Sequence, residues 1–196
     1  DDLDQVVADI VAGRYTVENR MTMDVEVTAP DGTVTRSWAL NEAALEKRDR
    51  ARMLEVVIGV DGQAVSSFGC DGLVMSTPTG STAYAFSGGG PVIWPEVEAL
   101  LLVPLAAHAL FTRPLVLGPC SCLEVVVQHA GLGGAEVWCD GRRRLLAPAG
   151  SRIRARRAAR PVRVARLNQA PFSTRLVRKF DLPVDGWRAA AERPAP

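Results

Sequence analysis

The sequence predicts a mainly β protein, built as an antiparallel β-sandwich-like domain with a few short helices. Three observations favour this fold class: many short segments alternate apolar and polar residues, Asp-Gly pairs separate several of them, and helical spacing is rare. Of the 196 residues, 47% are hydrophobic and 23% are charged, which is typical of a globular chain rather than a disordered one. This length has room for one substantial domain.

Alternation with a period of two marks the strands. In Thr22–Val27, the apolar side chains of Met23, Val25 and Val27 alternate with polar ones, as expected of a half-buried strand. Asp-Gly pairs predict tight hairpin turns, because both residues tolerate a positive φ. The glycine-rich segment 131–134 is predicted to form a further hairpin, which joins Leu123–Gln128 to Glu136–Cys139. The predicted Asp-Gly turns are Asp31-Gly32, Asp61-Gly62 and Asp140-Gly141, and the last strands predicted are Ile153–Arg157 and Val162–Leu167.

Helices are predicted in three places. Residues 1–13 carry apolar side chains at helical spacing, and Thr174–Phe180 forms a second short helix. The apolar stretch Val97–Phe111 contains Glu98, Pro104 and His108, so it is too short and too polar to span a membrane. We predict a buried helix there.

Charge and cysteine content limit the function classes. The formal net charge is +1, so no global charge attracts the protein to nucleic acid or to a membrane surface. The four cysteines have no CxxC or histidine partner at ligand spacing, and therefore no metal site is expected. No apolar signal segment precedes them, which favours a cytoplasmic protein with free thiols.

Ser76–Tyr84 is the most informative stretch, a run of hydroxyl residues and glycine that follows a short apolar strand. Such a loop can offer backbone N–H and hydroxyl donors to a sugar or phosphate, with one aromatic face for stacking. Composition alone is equally typical of an ordinary surface loop. The apolar flanks Leu73–Met75 and Pro91–Trp94 favour a loop held close to the core.

These motifs together resemble one enzyme family. Asp71-Gly72 followed by Ser76–Tyr84 is similar to the long signature of NAD kinases, and Asn41-Glu42 matches that family's Asn-Glu motif. Asp140-Gly141 and Arg175–Phe180 also resemble the family. The sequence is therefore identified as similar to bacterial-type ATP/polyphosphate NAD kinases, of the actinobacterial kind, without the family's first domain.

The resemblance implies an architecture. NAD kinases have an N-terminal α/β domain and a C-terminal β-rich domain, with the site in the cleft between them. Residues 1–13 are then expected to end a helical linker, 14–168 to form the β-rich nucleotide-recognition domain, and 169–196 to form a C-terminal helix and tail that pack back toward the first domain. A homo-oligomer, a dimer or a tetramer, is also implied.

The resemblance also implies which residues contact NAD. Glu42 would accept hydrogen bonds from ribose hydroxyls, as acidic residues do in other dinucleotide sites. Asp71 would meet an amide or amino group, across a subunit interface. Ordinary alternatives stay open: Glu42 as a solvated acid, Asp71 as half of a turn, and Arg52 as a solvated charge. The full implied set is Asn41, Glu42, Arg52, Asp71, Thr82, Ala83, Tyr84, Ala85, Phe86 and Ser87.

The implied activity is phosphorylation of the 2′-hydroxyl of the adenosine ribose of NAD, giving NADP. The donor is ATP with Mg²⁺ or, in some members, inorganic polyphosphate. The family's Gly-Gly-Asp-Gly loop, whose aspartate is its proposed general base, does not occur in this sequence. We therefore assign no catalytic residue to this chain, and expect the chain alone to be inactive.

Four other functions are alternatives to this one. Arginines at 142–144 and 152–166 suggest single-stranded nucleic acid, but no aromatic residues lie between them for stacking. A lipid or sphingoid-base kinase shares the two-domain plan, and a β-rich nucleotide-binding module without catalysis fits the same loop. A serine hydrolase is disfavoured, because His108 and His129 lack an evident Ser/Asp constellation.

Overall fold

The computed structural model describes residues 3–49, 51–109, 112–131, 133–167 and 170–184. The predicted domain boundary between 168 and 169 lies outside these residues, and so does the end of the predicted tail, 185–196. The described residues form two compact units, one of residues up to Glu18 and from Val164 onward, and the other Asn19–Arg163. The helices are α1 (Leu3–Val11), α2 (Tyr84–Ser87) and α3 (Phe172–Phe180), with a 3-10 turn at Gly80–Thr82.

The larger unit contains a first six-stranded antiparallel sheet. Its spatial order is β3-β2-β13-β10-β5-β6, so strands that are distant in sequence lie side by side. The strands of this sheet are β2 (Met23–Thr28), β3 (Val34–Ala39), β5 (Leu54–Val60), β6 (Gln63–Cys70), β10 (Cys122–His129) and β13 (Arg152–Arg157).

A second six-stranded antiparallel sheet has the order β12-β11-β4-β7-β8-β9. Its strands are β4 (Glu42–Lys47), β7 (Gly72–Ser76), β8 (Leu100–Leu105), β9 (Leu115–Leu117), β11 (Ala135–Cys139) and β12 (Arg143–Ala147). Alternate residues of both sheets, such as Val25 and Ile58 of the first and Leu45 and Leu73 of the second, share one buried core. The predicted antiparallel sandwich is confirmed.

The smaller unit contains a two-stranded sheet and two helices. Strands β1 (Thr16–Arg20) and β14 (Val162–Arg166) form a two-stranded sheet, and an ion pair joins Arg166 to Glu18, with 3.0 Å between Nε and Oε2. The helices predicted near both ends of the chain are confirmed as α1 and α3. Among the described residues, no helix is both long and apolar enough to cross a membrane.

Two Asp-Gly hairpins have the geometry that the sequence predicts. Asp61 and Gly62 have φ values of 53° and 82°, and Asp140 has a φ of 51°, which are the positive angles of a tight turn between twisted strands. Asp61 joins β5 to β6, and Asp140 joins β11 to β12. Both pairs of strands are antiparallel neighbours.

The predicted hairpin across 131–134 is wrong. Strand β10 pairs with β5 and β13 in the first sheet, whereas β11 pairs with β4 and β12 in the second. The glycines at 131 and 134, both with positive φ, therefore let the chain cross from one sheet to the other. Sequence spacing alone does not distinguish such a crossing from a hairpin.

The helix predicted after Pro95 is also wrong, because that segment contains strand β8, which lies between β7 and β9. Leu102 faces the main core, while Leu101 and Val103 face a smaller cluster with Ala85 and Ile93. Both faces of the strand are thus buried, and its sequence becomes a continuous apolar run. Periodicity cannot separate such a run from a buried helix.

Burial on both faces of β8 leads to a prediction about stability. We expect Leu101→Ala and Leu102→Ala each to lower the free energy of unfolding by about 3 kcal/mol, since both side chains leave a cavity. Val116→Ala is the matched control, because Val116 pairs with Leu101 but is 54% exposed. Denaturant unfolding would measure the free energy of unfolding of all three variants. A loss for Leu101→Ala as small as that for Val116→Ala would contradict burial of Leu101 in the smaller cluster.

The arginines of β13 lie on a solvated strand face, as their alternation with Ile153 and Ala155 predicts. Glu124 of the neighbouring strand pairs with Arg152 at 2.7 Å and with Arg154 at 3.3 Å between nitrogen and oxygen atoms. Part of the positive charge on this face is therefore compensated within the sheet.

Candidate functional site

The Ser76–Tyr84 loop is tied to the turn between β3 and β4. The Thr77 N–H and the Ser76 hydroxyl donate to the carbonyl of Asn41, at 2.9 and 3.0 Å. The Thr77 hydroxyl donates to the carbonyl of Leu40 at 2.5 Å. Because Ser76 and Thr77 are fully buried, their hydroxyls hold the scaffold together and are not presented to solvent.

Gly80 lies directly against this turn. A Cβ placed there would be 2.1 Å from the Asn41 carbonyl oxygen and 2.5 Å from the Ser76 hydroxyl oxygen. Only a residue without a side chain allows the two backbone segments to approach this closely. On the far side of the loop, the buried Ser81 hydroxyl accepts from the Ile93 N–H at 2.9 Å and donates to the Pro78 carbonyl at 2.7 Å.

Asp140 caps the turn that carries Asn41 and Glu42. Its carboxylate accepts the backbone N–H groups of Leu40 at 3.0 Å, Asn41 at 2.7 Å and Glu42 at 3.3 Å. The positive φ of Asp140 in its hairpin aims the carboxylate back along the sheet toward these three donors. The β11–β12 hairpin thereby fixes the start of β4.

Glu42 is half-buried beneath the loop. The Tyr84 N–H donates to its carboxylate, while its Oε2 atom is buried without a hydrogen-bond partner among the described residues. Burial raises the pKa of Glu42, the negative charge of Asp140 raises it further, and the Tyr84 N–H opposes both. An unpaired buried oxygen costs about 1–3 kcal/mol, so this atom is suited to a donor from a ligand.

A cavity of about 300 Å³ lies beside Glu42. It is lined by Glu42, Ala44, Glu46, Tyr84, Trp138 and Gly141. Tyr84 donates its hydroxyl to Glu46, and burial, followed by the charge of Glu46, raises the pKa of Tyr84. The cavity therefore combines two aromatic side chains with two carboxylates, which suits a ligand with hydroxyl groups and a flat ring.

Comparison with known proteins decides the family. The profile of the ATP-NAD kinase C-terminal domain matches residues 40–167, which is most of the chain and contains the whole site just described. The chain belongs to the ATP-NAD kinase family. This membership confirms the resemblance found in the sequence and favours it over the lipid-kinase and hydrolase alternatives.

Individual relatives agree with the family. NAD kinase 2 of Streptomyces avermitilis is 58% identical over 190 residues, and the alignment covers 97% of this chain and 63% of that protein. The NAD kinase of Leifsonia xyli is 58% identical over 188 residues, covering 96% of this chain and 62% of that protein. The chain thus spans about three fifths of the length of these relatives.

Two solved structures share the fold. Yeast NADH kinase complexed with NADH superposes with a TM-score of 0.83 at 21% identity, covering 93% of this chain and 53% of that one. An NAD kinase from Archaeoglobus fulgidus, in complex with ATP, superposes with a TM-score of 0.72 at 29% identity. That match covers 92% of this chain and 66% of the archaeal one.

Only some of the residues that NAD kinase resemblance implied lie together. Glu42 and Tyr84 line the cavity, Asn41 precedes Glu42 in the chain, and Thr82 and Ala83 are half-buried in the loop. Ala85 is fully buried in the smaller apolar cluster, so its side chain faces the protein. Phe86 and Ser87 are exposed on α2.

Asp71 and Arg52 do not line this cavity. Asp71 precedes β7, next to Gly72, whose register partner Glu46 lines it. Asp71 pairs with Lys47 at 2.5 Å between Oδ1 and Nζ. Arg52 is exposed in the connection between β4 and β5, beside Gly131.

Sequence reasoning missed three contributors to this candidate site. Glu46 and Trp138 line the cavity, and Arg143 binds Asp140. Glu46 lies four residues after Glu42 on the same strand face, so strand periodicity could have found it. Trp138 and Arg143 depend on the pairing of β11 with β4, which no local pattern specifies.

The environment of Glu42 predicts how stability depends on pH. Its pKa is raised above the ordinary value of 4.5 in the folded protein, so between the two values the folded state binds more protons than the unfolded state, and stability falls as the pH rises through that interval. As the pH falls, the Glu42 carboxylate takes up a proton, and the folded state no longer carries the cost of its buried charge. We expect Glu42→Gln to melt at a higher temperature than wild type at pH 7.5, and the difference to vanish near pH 4.5. Glu55→Gln, on the exposed face of β5, should match wild type, and equal melting of Glu42→Gln at pH 7.5 would contradict the raised pKa.

Proposed function

We propose that the whole protein is an NAD kinase, which transfers a phosphoryl group from ATP to the 2′-hydroxyl of the adenosine ribose of NAD. Family membership and relatives named NAD kinase support this proposal. The observation that carries it for this chain is the carboxylate of Glu42, which combines an unpaired buried oxygen with a position beside a cavity that suits a nucleoside.

In this proposal Glu42 accepts hydrogen bonds from the ribose hydroxyls, with Asn41 beside it. Tyr84 and Trp138 offer flat apolar surface to the adenine. Thr82 and Ala83 line the adenine and ribose pocket, and Ser87 adds a polar contact, while Ala85 and Phe86 complete the segment by supporting its shape. Binding in one orientation matters because phosphoryl transfer depends mainly on positioning and charge neutralisation.

The donor side belongs to the proposal as well. ATP is the proposed donor because the archaeal relative was solved with ATP, and polyphosphate is the alternative. Mg²⁺ would accompany the phosphates of ATP and neutralise their charge. Within the described ranges no group of three potential ligands could hold a metal ion, so no step is assigned to magnesium through these residues. The general base is proposed to come from outside this chain.

Asp71 and Arg52 enter through a proposed dimer or tetramer. Since Asp71 does not line the cavity of its own chain, it is proposed to contact the nucleotide of a neighbouring protomer, where Lys47 holds its carboxylate in place. Arg52 is proposed as a second, exposed contact to the dinucleotide. A cytoplasmic location, where NAD and ATP are both available, completes the proposal.

The test is NADP formation from NAD, ATP and Mg²⁺ by the whole protein, with the 196-residue chain assayed beside it. We expect an active whole protein, an inactive chain, and a Glu42→Gln variant with a raised KM for NAD and an intact fold. Glu55→Gln serves as the matched control. Inactivity of the whole protein with both ATP and polyphosphate would overturn the assignment, and unchanged kinetics of Glu42→Gln would remove Glu42 from the site.

A further inference from the structure

Arg143, the first residue of β12, makes three contacts at the edge of the candidate site. Its Nη2 atom donates to the Asp140 carboxylate at 2.6 Å and to the backbone carbonyl of Trp38 at 3.0 Å. Its guanidinium also lies over the Trp38 ring, 4.4 Å from the ring centre, at the distance of a cation–π interaction. Arg143 thus joins the end of β3 to the β11–β12 hairpin.

The partner of this arginine carries the Asn41-Glu42 turn. Asp140 accepts all three successive backbone N–H groups from Leu40 to Glu42, so any rotation of its carboxylate moves that turn. Backbone donors orient a carboxylate but do not cancel its charge. Among the described residues, Arg143 makes the one ion pair of Asp140.

The charge of Asp140 matters because Glu42 is close to it. Asp140 from the hairpin and Tyr84 from α2 act on Glu42 directly, Glu46 lies on the same strand face, and Arg143 acts through its ion pair with Asp140. Two of these four groups are acidic. Among the described residues, Arg143 is the cation that pairs with Asp140, whose negative charge raises the pKa of Glu42.

We propose that Arg143 is a positioning residue for the nucleotide: it locks and neutralises the Asp140 carboxylate, so that Asp140 holds the Asn41-Glu42 turn and Glu42 stays ionised toward the cavity. This inference rests on the proposed function, because it assigns Arg143 to the binding of NAD. Arg143 itself touches no substrate in this scheme. The guanidinium suits the role better than an ammonium, since one flat group both stacks on Trp38 and donates to two oxygens.

The two neighbouring arginines provide a comparison within the same segment. Arg142 is exposed in the hairpin turn and makes no ion pair among the described residues. Arg144 contacts Glu136 and Trp138 instead of Asp140. Its Nη1 atom is 3.7 Å from the Glu136 carboxylate, and its guanidinium lies over the Trp138 ring. Arg142→Met therefore removes a charge of the same sign from the adjacent position without touching Asp140.

The experiment measures NAD kinetics of the whole protein for Arg143→Met, Arg143→Lys and Arg142→Met between about pH 4.5 and 8.5, a range that begins near the ordinary glutamate pKa of about 4.3. For Arg143→Met we expect the KM for NAD to rise about tenfold while kcat changes less than about threefold. The acid-side rise in KM should also begin at a higher pH than in wild type, because the uncompensated charge of Asp140 raises the pKa of Glu42. Arg142→Met should match wild type.

Two further variants separate positioning from a loss of structure. Arg143→Lys keeps the charge, so its pH profile should match wild type while its KM lies between wild type and Arg143→Met. In Asp140→Asn/Arg143→Met both charges are gone, and the pH midpoint should return toward the wild-type value although the KM stays high. If Arg143→Met does not fold, the pH midpoints of Arg143→Lys and of Asp140→Asn/Arg143→Met are compared with the wild-type value instead.

Each outcome has one meaning. An active wild type with an unchanged KM and pH midpoint in Arg143→Met overturns the inference but leaves the kinase assignment intact. A raised KM with the wild-type pH midpoint, or the same effect in Arg142→Met, also overturns it, because only the charge of Arg143 on Asp140 predicts the shift. An inactive wild type instead overturns the proposed function.

Discussion

Replacing Gly80 with alanine is expected to displace the Ser76–Tyr84 loop and to abolish the proposed phosphorylation of NAD. The new Cβ would lie 2.1 Å from the Asn41 carbonyl oxygen, an atom of the backbone that has no free torsion with which to move away. The loop and the Asn41-Glu42 turn must then separate, and the hydrogen bonds of Ser76 and Thr77 to that turn break. We expect the free energy of unfolding to fall by about 3 kcal/mol, or the melting temperature by about 10 °C.

Calorimetry or fluorescence melting of the variant, together with the assay for NADP, would test this result. Gly118→Ala is the matched control, because a Cβ at Gly118 has no atom within 4 Å and its φ is not positive. A Gly80→Ala variant that keeps both wild-type melting and NADP formation would show that the loop does not lie against Asn41 as described.

The second large effect is expected from Asp140→Asn. An asparagine side chain fits the same space, tolerates the same positive φ and keeps the Oδ1 acceptor, but its uncharged NH₂ group replaces the Oδ2 atom that accepts from Arg143 and Leu40. The three N–H groups from Leu40 to Glu42 and the guanidinium of Arg143 then lose their charged acceptor. We expect a loss of about 3 kcal/mol in stability, and a KM for NAD at least tenfold higher.

The protein contains a well-matched control for this substitution. Asp61 starts the other Asp-Gly hairpin, also at positive φ, and its carboxylate accepts the Cys122 N–H at 2.7 Å. Asp61→Asn makes the same chemical change in an exposed turn remote in the topology from the Glu42 cavity. It should cost about 1 kcal/mol and leave NAD kinetics unchanged. Equal kinetic effects of both substitutions would argue for a general loss of stability and against a specific role of Asp140.

Local patterns predicted the parts of the fold that local interactions determine. The alternation in β2 and the Asp-Gly turn between β5 and β6 are properties of adjacent residues, and both are found as predicted. The pairing of β10 depends instead on which sheet the chain enters after 131–134, and the state of β8 depends on burial by residues elsewhere in the chain. Tertiary packing decided both, and there the sequence predictions failed.

The candidate site divides in the same way. Glu42 and Tyr84 belong to motifs that resemble the family, and the structure brings them together at the cavity. The sequence suggested the hydroxyls of Ser76, Thr77 and Ser81 as donors to a ligand. In the structure, all three donate hydrogen bonds to backbone carbonyls of the protein itself. Composition cannot separate these two uses of a hydroxyl, because the difference lies in burial and in the approach of a second segment.

The separation of partners along the chain also has a consequence for how the protein acquires activity during synthesis. Leu40 and the residue that caps it are 100 positions apart, and β2 pairs with β13 across more than half of the sequence. Contacts of such long range form slowly and only after the later segment has left the ribosome. A nascent chain that ends before Asp140 therefore carries the complete Ser76–Tyr84 loop and yet lacks the carboxylate that caps the Asn41-Glu42 turn. Under the proposed function, NAD would then bind the finished domain best, and its binding would favour the completed fold over its partly formed precursors.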